Sequence, residues 1–216
     1  MNLTSLVSPL RIYLIRHAET DWTLSRRYTG HTEIALTANG EVEAQKLGHR
    51  LRDTPFTHVF TSPRLRARQT CRLAQLGNRA DIDPDLDEWN YGDYEGLRSV
   101  DIRHQRPEWN LFQNGCPQGE TPEQVSERAD RLIDRLGSYH GNVVVFSHGH
   151  FGSTVAVRWI GLPIATAEHF PLATASISIL AFNPQHLETP VIALWNAILP
   201  RQMSPPVNLA DTALRL

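Results

Sequence analysis

The chain has 216 residues, 41% of them hydrophobic and 20% charged, which predicts one soluble globular domain with a core from about residue 11 to 199 and a tail over 200–216. A net charge of −2 argues against nucleic acid as the main partner, and no apolar run reaches the length of a membrane span. Two cysteines, Cys71 and Cys116, are too few for a disulfide framework, and MNLTSLVSPL lacks the basic and long apolar regions of a secretory signal. A cytoplasmic setting is expected. Whether the chain forms a homo-oligomer stays open.

In chain order, Arg11–Ile15 reads as a short apolar strand buried on both faces, and RHAET follows it directly. LTANGEVEAQKLGHRL places Ala44, Leu47, Gly48 and Leu51 on one helical face, with Thr37 as its N-cap. Val59–Thr61 is a second strand, stopped by Pro63 and followed by a helix from about Leu65 to Leu76. Residues 81–120, rich in Asp, Trp, Tyr, Gly and Pro, read as a functional loop with one short helix. Thr121, Pro122 and Gln124 mark a helix start whose apolar face carries Val125, Ala129, Leu132, Ile133 and Leu136. The strand Val143–Phe146 leads to SHGH and a helix ending near Ile160, and two last strands fall over Ser176–Phe182 and Val191–Leu194. Strands alternating with helices predict a three-layer α/β/α sandwich with a mostly parallel central sheet.

In such sheets ligands bind beyond the carboxyl ends of the strands. Arg16, His17, Ser62 and His148 all fall there, with the arginines of SPRLRARQT close behind. Arginine forks match phosphate oxygens, and a histidine beside fixed cations stays neutral, as a nucleophile must. The combination points to attack on an anionic phosphoryl group. A leaving group then needs a proton, and PDLDEWNYGDYEG supplies carboxyls; Glu88 stands beside Trp89, whose apolar surface favours the uncharged acid. Arg64 and Arg68 are expected on a solvated helix face, and Asp85, Asp93 and Glu95 in surface turns. A metal site on His148 and His150 is a rival reading, opposed by arginines that would repel a divalent cation. FSHGH does not supply the G-x-S-x-G of a serine hydrolase.

RHAET, Trp22 to Thr29-Gly30, LTANG, SPRLRARQT, LDEWNYG and SHG occur in an order that resembles the histidine phosphatase superfamily, the phosphoglycerate-mutase-like proteins. The resemblance spans about residues 11 to 150 and implies their α/β/α sandwich. It also implies that His17 accepts the phosphoryl group, that Arg16, Arg66 and His148 hold it, and that Glu88 protonates the leaving oxygen. Thr23, Thr29, Gly30, Tyr91 and Gly149 match positions on the substrate side. Neither metal nor cofactor is implied, and the expected partner is a small phosphate ester. EWNYGDYEG and RPEWNLFQNGCPQGET are most similar to the sugar-bisphosphatase branch that includes fungal sedoheptulose bisphosphatase. A sugar phosphate or bisphosphate is therefore the expected substrate. The alternatives are a bisphosphoglycerate-dependent mutase and a non-catalytic phosphoprotein-binding module. Three departures stand out: Ala18 replaces the family's glycine, Thr23 the mutases' asparagine, and Leu97-Arg98-Ser99 the segment where mutases carry a lysine.

Overall fold

A computed structural model describes residues 8–198; the tail expected to be loose after Leu199 lies outside them. Six strands form one sheet in the order β3-β2-β4-β1-β5-β6. The strands β1 (Arg11–Arg16), β2 (Phe56–Thr61), β3 (Ala80–Ile82) and β4 (Asn142–Ser147) run parallel. The last two, β5 (Ile177–Asn183) and β6 (His186–Ala197), are antiparallel and close one side. The sheet is thus mixed and mostly parallel, as the alternating pattern predicted.

Alternation along the central strands creates two cores. Ile12, Leu14, Val143 and Val145 face α6 (Pro122–Leu136) and α7 (Gly149–Trp159), where Val125, Leu132 and Val155 pack against them. Ile15, Val144 and Phe146 face α2 (Ala38–Leu51) and α3 (Leu65–Leu73) through Leu47, Leu51 and Cys71. This makes the three layers. Helix α2 starts where Thr37 accepts the Gly40 N–H at 3.0 Å, and α6 starts with a capping box between Thr121 and Gln124. Helix α3 stops at Leu73, short of the expected Leu76, because Gln75 turns left-handed at φ 65°.

Residues 81–120 depart most from expectation. They hold two short helices, α4 (Ser99–Gln105) and α5 (Leu111–Asn114), where one was expected, and the edge strand β3 just before them was not anticipated. A four-residue helix α1 (Asp21–Leu24) was also unforeseen. The segment is fastened by its aromatics: Trp89, Tyr91 and Trp109 are buried in the first core. Trp89 Nε1 donates to the Glu120 carbonyl and Trp109 Nε1 to the Gly115 carbonyl, both at 2.9 Å. Arg128 of α6 fastens it from below. Its guanidinium reaches the carbonyls of Asp85 (3.1 Å), Asp87 (2.7 Å) and Glu88 (3.3 Å), pairs with the Glu120 carboxylate at 2.9 Å, and lies over the Phe151 ring.

Arg128→Ala strands Glu120 and three carbonyls at once, so urea unfolding should show a loss of roughly 3 kcal/mol. Arg128→Lys should recover little of it, because one ammonium cannot replace the planar fork. A loss below about 1 kcal/mol would mean that the aromatics alone hold the loop.

Candidate active site

The site begins with strand register. Arg16 pairs with Ser147 across β1 and β4, and Thr61 pairs with Phe146 across β2 and β4. The ladder runs one step beyond the strands: the His17 N–H donates to the Ser147 carbonyl and the Ser62 N–H to the Phe146 carbonyl, each at 2.9 Å. Three strand ends therefore deliver His17, His148 and Ser62 side by side. The imidazoles of His17 and His148 lie 5.3 Å apart, centroid to centroid.

His17 is buried, and its Nδ1 lies 2.8 Å from the Ala18 carbonyl. A carbonyl only accepts, so Nδ1 carries the hydrogen and Nε2 keeps its lone pair. Burial first, then the charges of Arg66 and Arg16, hold the imidazole well below its ordinary value. His148 is held down in the same way by burial, then Arg66, His17, Arg128 and Arg16. Its Nε2 lies 2.7 Å from Ser62 Oγ, which itself accepts the Arg64 N–H at 3.2 Å. Ala18 is fully buried, is not among the left-handed residues, and donates its N–H to Thr70 Oγ1 at 3.0 Å. Alanine is therefore tolerated where the family signature has glycine.

Arg66 is fully buried and aimed by carbonyls: Thr29 at 2.8 Å, Gly30 at 2.9 Å and Thr32 at 3.1 Å. Arg16 donates to the Leu172 carbonyl. Burial lowers both guanidinium groups from their ordinary value, with Glu88 the first charge opposing it. Among the described residues, Arg16 Nε, Arg66 Nε and His148 Nδ1 are buried without a hydrogen-bond partner. Buried orphans of this kind demand a ligand oxygen or another explanation.

Glu88 caps α7. Its Oε1 accepts the N–H groups of Trp89 (3.0 Å) and Phe151 (2.8 Å), and its Oε2 those of Gly149 (3.0 Å) and His150 (3.2 Å). The expectation that Trp89 gives it an apolar setting is thus corrected: the carboxyl sits among donors at a helix N-terminus, and the Trp89 ring packs on Phe112 instead.

A cavity of about 570 Å³ opens over Arg16, His17 and Glu88 and is lined also by Thr23, Thr29, Tyr91 and Gly149. Gly30 does not line it. It stands behind Arg66, with its N–H on the Glu95 carboxylate at 2.9 Å, and a Cβ there would meet the Trp89 carbonyl at 2.6 Å. Thr23 reaches the wall, but its hydroxyl is spent on the Thr20 N–H and carbonyl at 2.9 and 2.8 Å. Two bland expectations are also corrected, the second in part. Arg64 is half-buried rather than on a solvated helix face; it grips Asp87, with Nε 2.9 Å from both carboxylate oxygens. Glu95 does lie in a turn and is half-buried, but its carboxylate also holds the backbone of Gly30 and Thr32. Asp85 likewise pairs with Arg131 and Arg135. For the rival metal reading, the described residues bring together no group of three His, Cys, Asp or Glu side chains that could hold an ion.

Unfolding frees His17 to take a proton near pH 6.5, whereas the folded chain resists protonation until well below it. Stability is therefore lost as pH falls below 6.5. Between pH 6.5 and 5.5, urea unfolding of the wild type should lose about 1 kcal/mol more than that of His17→Asn. An equal loss in both would contradict the neutral, buried imidazole.

A model of the histidine phosphatase superfamily (branch 1) matches residues 12–197. An acid phosphatase of Mycobacterium tuberculosis (strain ATCC 25618 / H37Rv) is 41% identical over 180 residues, 80% of this chain and 87% of its own. The sedoheptulose 1,7-bisphosphatase of Saccharomyces cerevisiae (strain ATCC 204508 / S288c) is 36% identical over 187 residues, 71% of this chain and 69% of its own. Among solved structures, an open-reading-frame product of Mycobacterium tuberculosis superposes with a TM-score of 0.80 at 36% identity, over 87% of this chain and 97% of that one. Sequence order, strand register and these likenesses agree: the chain belongs to the histidine phosphatase superfamily.

Proposed function

We propose that this protein is a metal-independent phosphoric monoester hydrolase that works through a phosphohistidine on His17. The observation that carries the reading is the buried His17 ring, its Nδ1 2.8 Å from the Ala18 carbonyl so that Nε2 is left to attack, beside three buried groups that lack partners. An ester phosphate placed there meets Arg16 Nε, Arg66 Nε and His148 Nδ1 with its non-bridging oxygens. His17 Nε2 attacks phosphorus from the side opposite the ester oxygen. As the P–O bond breaks, its electron pair goes to the leaving oxygen, which takes a proton from Glu88, a carboxylate that receives this proton from the incoming phosphate monoanion. The phosphorylated imidazole carries positive charge, and the Ala18 carbonyl steadies its Nδ1–H. Water then gives a proton to Glu88 and attacks phosphorus, the P–N bond breaks, and His17 returns neutral.

The substrate class follows from the cavity and from the relatives. Its mouth carries Arg26, Arg103, Asn110 and Glu168, polar groups suited to a small hydroxylated metabolite. The two relatives described above are an acid phosphatase and a sedoheptulose bisphosphatase. A sugar phosphate or bisphosphate fits both. Two free, buried cysteines fit a reducing, cytoplasmic setting.

Phosphate release from sugar phosphates should persist in excess chelator, since Arg16 and Arg66 supply the positive charge; abolition would return the metal reading. His17→Ala should lose at least ~10³-fold in kcat/KM. Glu88→Gln should slow sugar esters, whose alkoxides leave poorly, far more than aryl phosphates. Equal losses on both would remove Glu88 from the acid role.

A further inference from the structure

His150 takes no part in the chemistry above, yet it is half-buried, lines the cavity and stands in the SHGH segment two residues beyond His148. Its backbone N–H donates to Glu88 Oε2, so the residue sits beside the proposed proton donor. Its ring lies among Tyr28, Tyr91 and Phe112, with centroids 5.5 to 5.8 Å away. Its Nδ1 lies 2.6 Å from the Tyr91 hydroxyl.

That distance and the partners of the two groups bear on which atom carries the hydrogen. It falls in the range of O–H donors and is short for a ring N–H on a phenol oxygen. The Tyr91 hydroxyl has no other hydrogen-bond partner among the described residues, so its hydrogen goes to Nδ1. The imidazole is neutral, because burial lowers its pKa against the opposing pull of Glu88. Burial, with Glu88 and Tyr28, raises the phenol well above its ordinary value and keeps it protonated. A neutral ring that accepts at Nδ1 carries its own hydrogen on Nε2. No described residue accepts from Nε2, and the ring borders the cavity.

Resting on the phosphatase reading, we propose that His150, oriented by Tyr91, is a substrate-selecting residue that presents a fixed Nε2–H donor to a hydroxyl oxygen on the leaving-group side of the scissile bond. The site then favours polyol phosphates over alkyl phosphates of the same size, because an alkyl chain leaves this N–H unpaired. Tyr91 acts through His150, as a positioning residue.

Glycerol 1-phosphate and n-propyl phosphate differ only in the hydroxyls and serve as the probe pair. The wild type should favour glycerol 1-phosphate in kcat/KM, and His150→Phe should cut that ratio about tenfold, whatever its absolute rates. Tyr91→Phe should cut it several-fold by freeing the tautomer. A ratio unchanged in His150→Phe overturns the proposal. A second measurement needs no variant: long-range ¹H–¹⁵N spectra of the wild type should show His150 as the Nε2–H tautomer, and the Nδ1–H form overturns the proposal. If the wild type releases phosphate from no ester, the phosphatase reading fails and substrate selection fails with it. The spectra then still report whether Tyr91 sets the ring.

Discussion

The register of β1 on β4 is the constraint on which the site depends. It aligns Arg16 with Ser147, and the next hydrogen bond, from the His17 N–H to the Ser147 carbonyl, fixes the backbone of His17, the proposed nucleophile, beside that of His148. A slip of one residue would turn each strand's side chains to the other face and exchange the two cores. Apolar packing on both sides of the sheet thus sets the positions of the polar groups at the strand ends. The placement of the candidate site is a consequence of where Ile12, Leu14, Ile15 and the valines of β4 must go.

Around that point the fold gathers positive charge that would not stay together unaided. Arg16, Arg66 and Arg128 are all buried or nearly so near two imidazoles, which remain neutral partly because of them. Carbonyl oxygens carry much of the compensation: Leu172 for Arg16, Thr29 and Gly30 for Arg66, and the 85–88 segment for Arg128. Carbonyls orient a guanidinium without neutralising it, so its charge stays available to an incoming anion. Glu88 is the opposing charge within the cluster, and four backbone donors hold it in place. Removing α6 from this scheme would loosen Glu88, because Arg128 holds the carbonyls of residues 87 and 88.

Much of this was legible in the sequence. β-Branched runs, Thr37, Thr121 and the break at Pro63 mark local preferences that the packed structure keeps. The signature residues His17, Arg16, Arg66, Glu88 and His148 are named from their order; strand ends place Arg16, His17 and His148, helix α3 places Arg66, and the 81–120 segment places Glu88. What escaped depends on partners distant in the chain. Arg128 left one trace, an arginine in register with Val125, Ala129 and Leu132 on an apolar helix face. Arg64 was read as solvated because Asp87, 23 residues on, is no sequence neighbour. Gly30 was placed toward the substrate, whereas close approach to the Trp89 carbonyl puts it behind Arg66. Strand β3 is three residues at an edge, too short for alternation to register. The Tyr91–His150 contact spans 59 positions and had no local signal beyond the second histidine of SHGH.

The central claim is that the fold leaves one nitrogen, His17 Nε2, free to form a bond to phosphorus. The most direct measurement is to trap the phosphoenzyme of ¹⁵N-histidine-labelled protein during turnover, in alkaline denaturant, and read ³¹P–¹⁵N coupling. The account predicts a single phosphohistidine on His17, bonded through Nε2. Phosphorus on Nδ1 of that ring, on another residue, or on no residue during active turnover would contradict it.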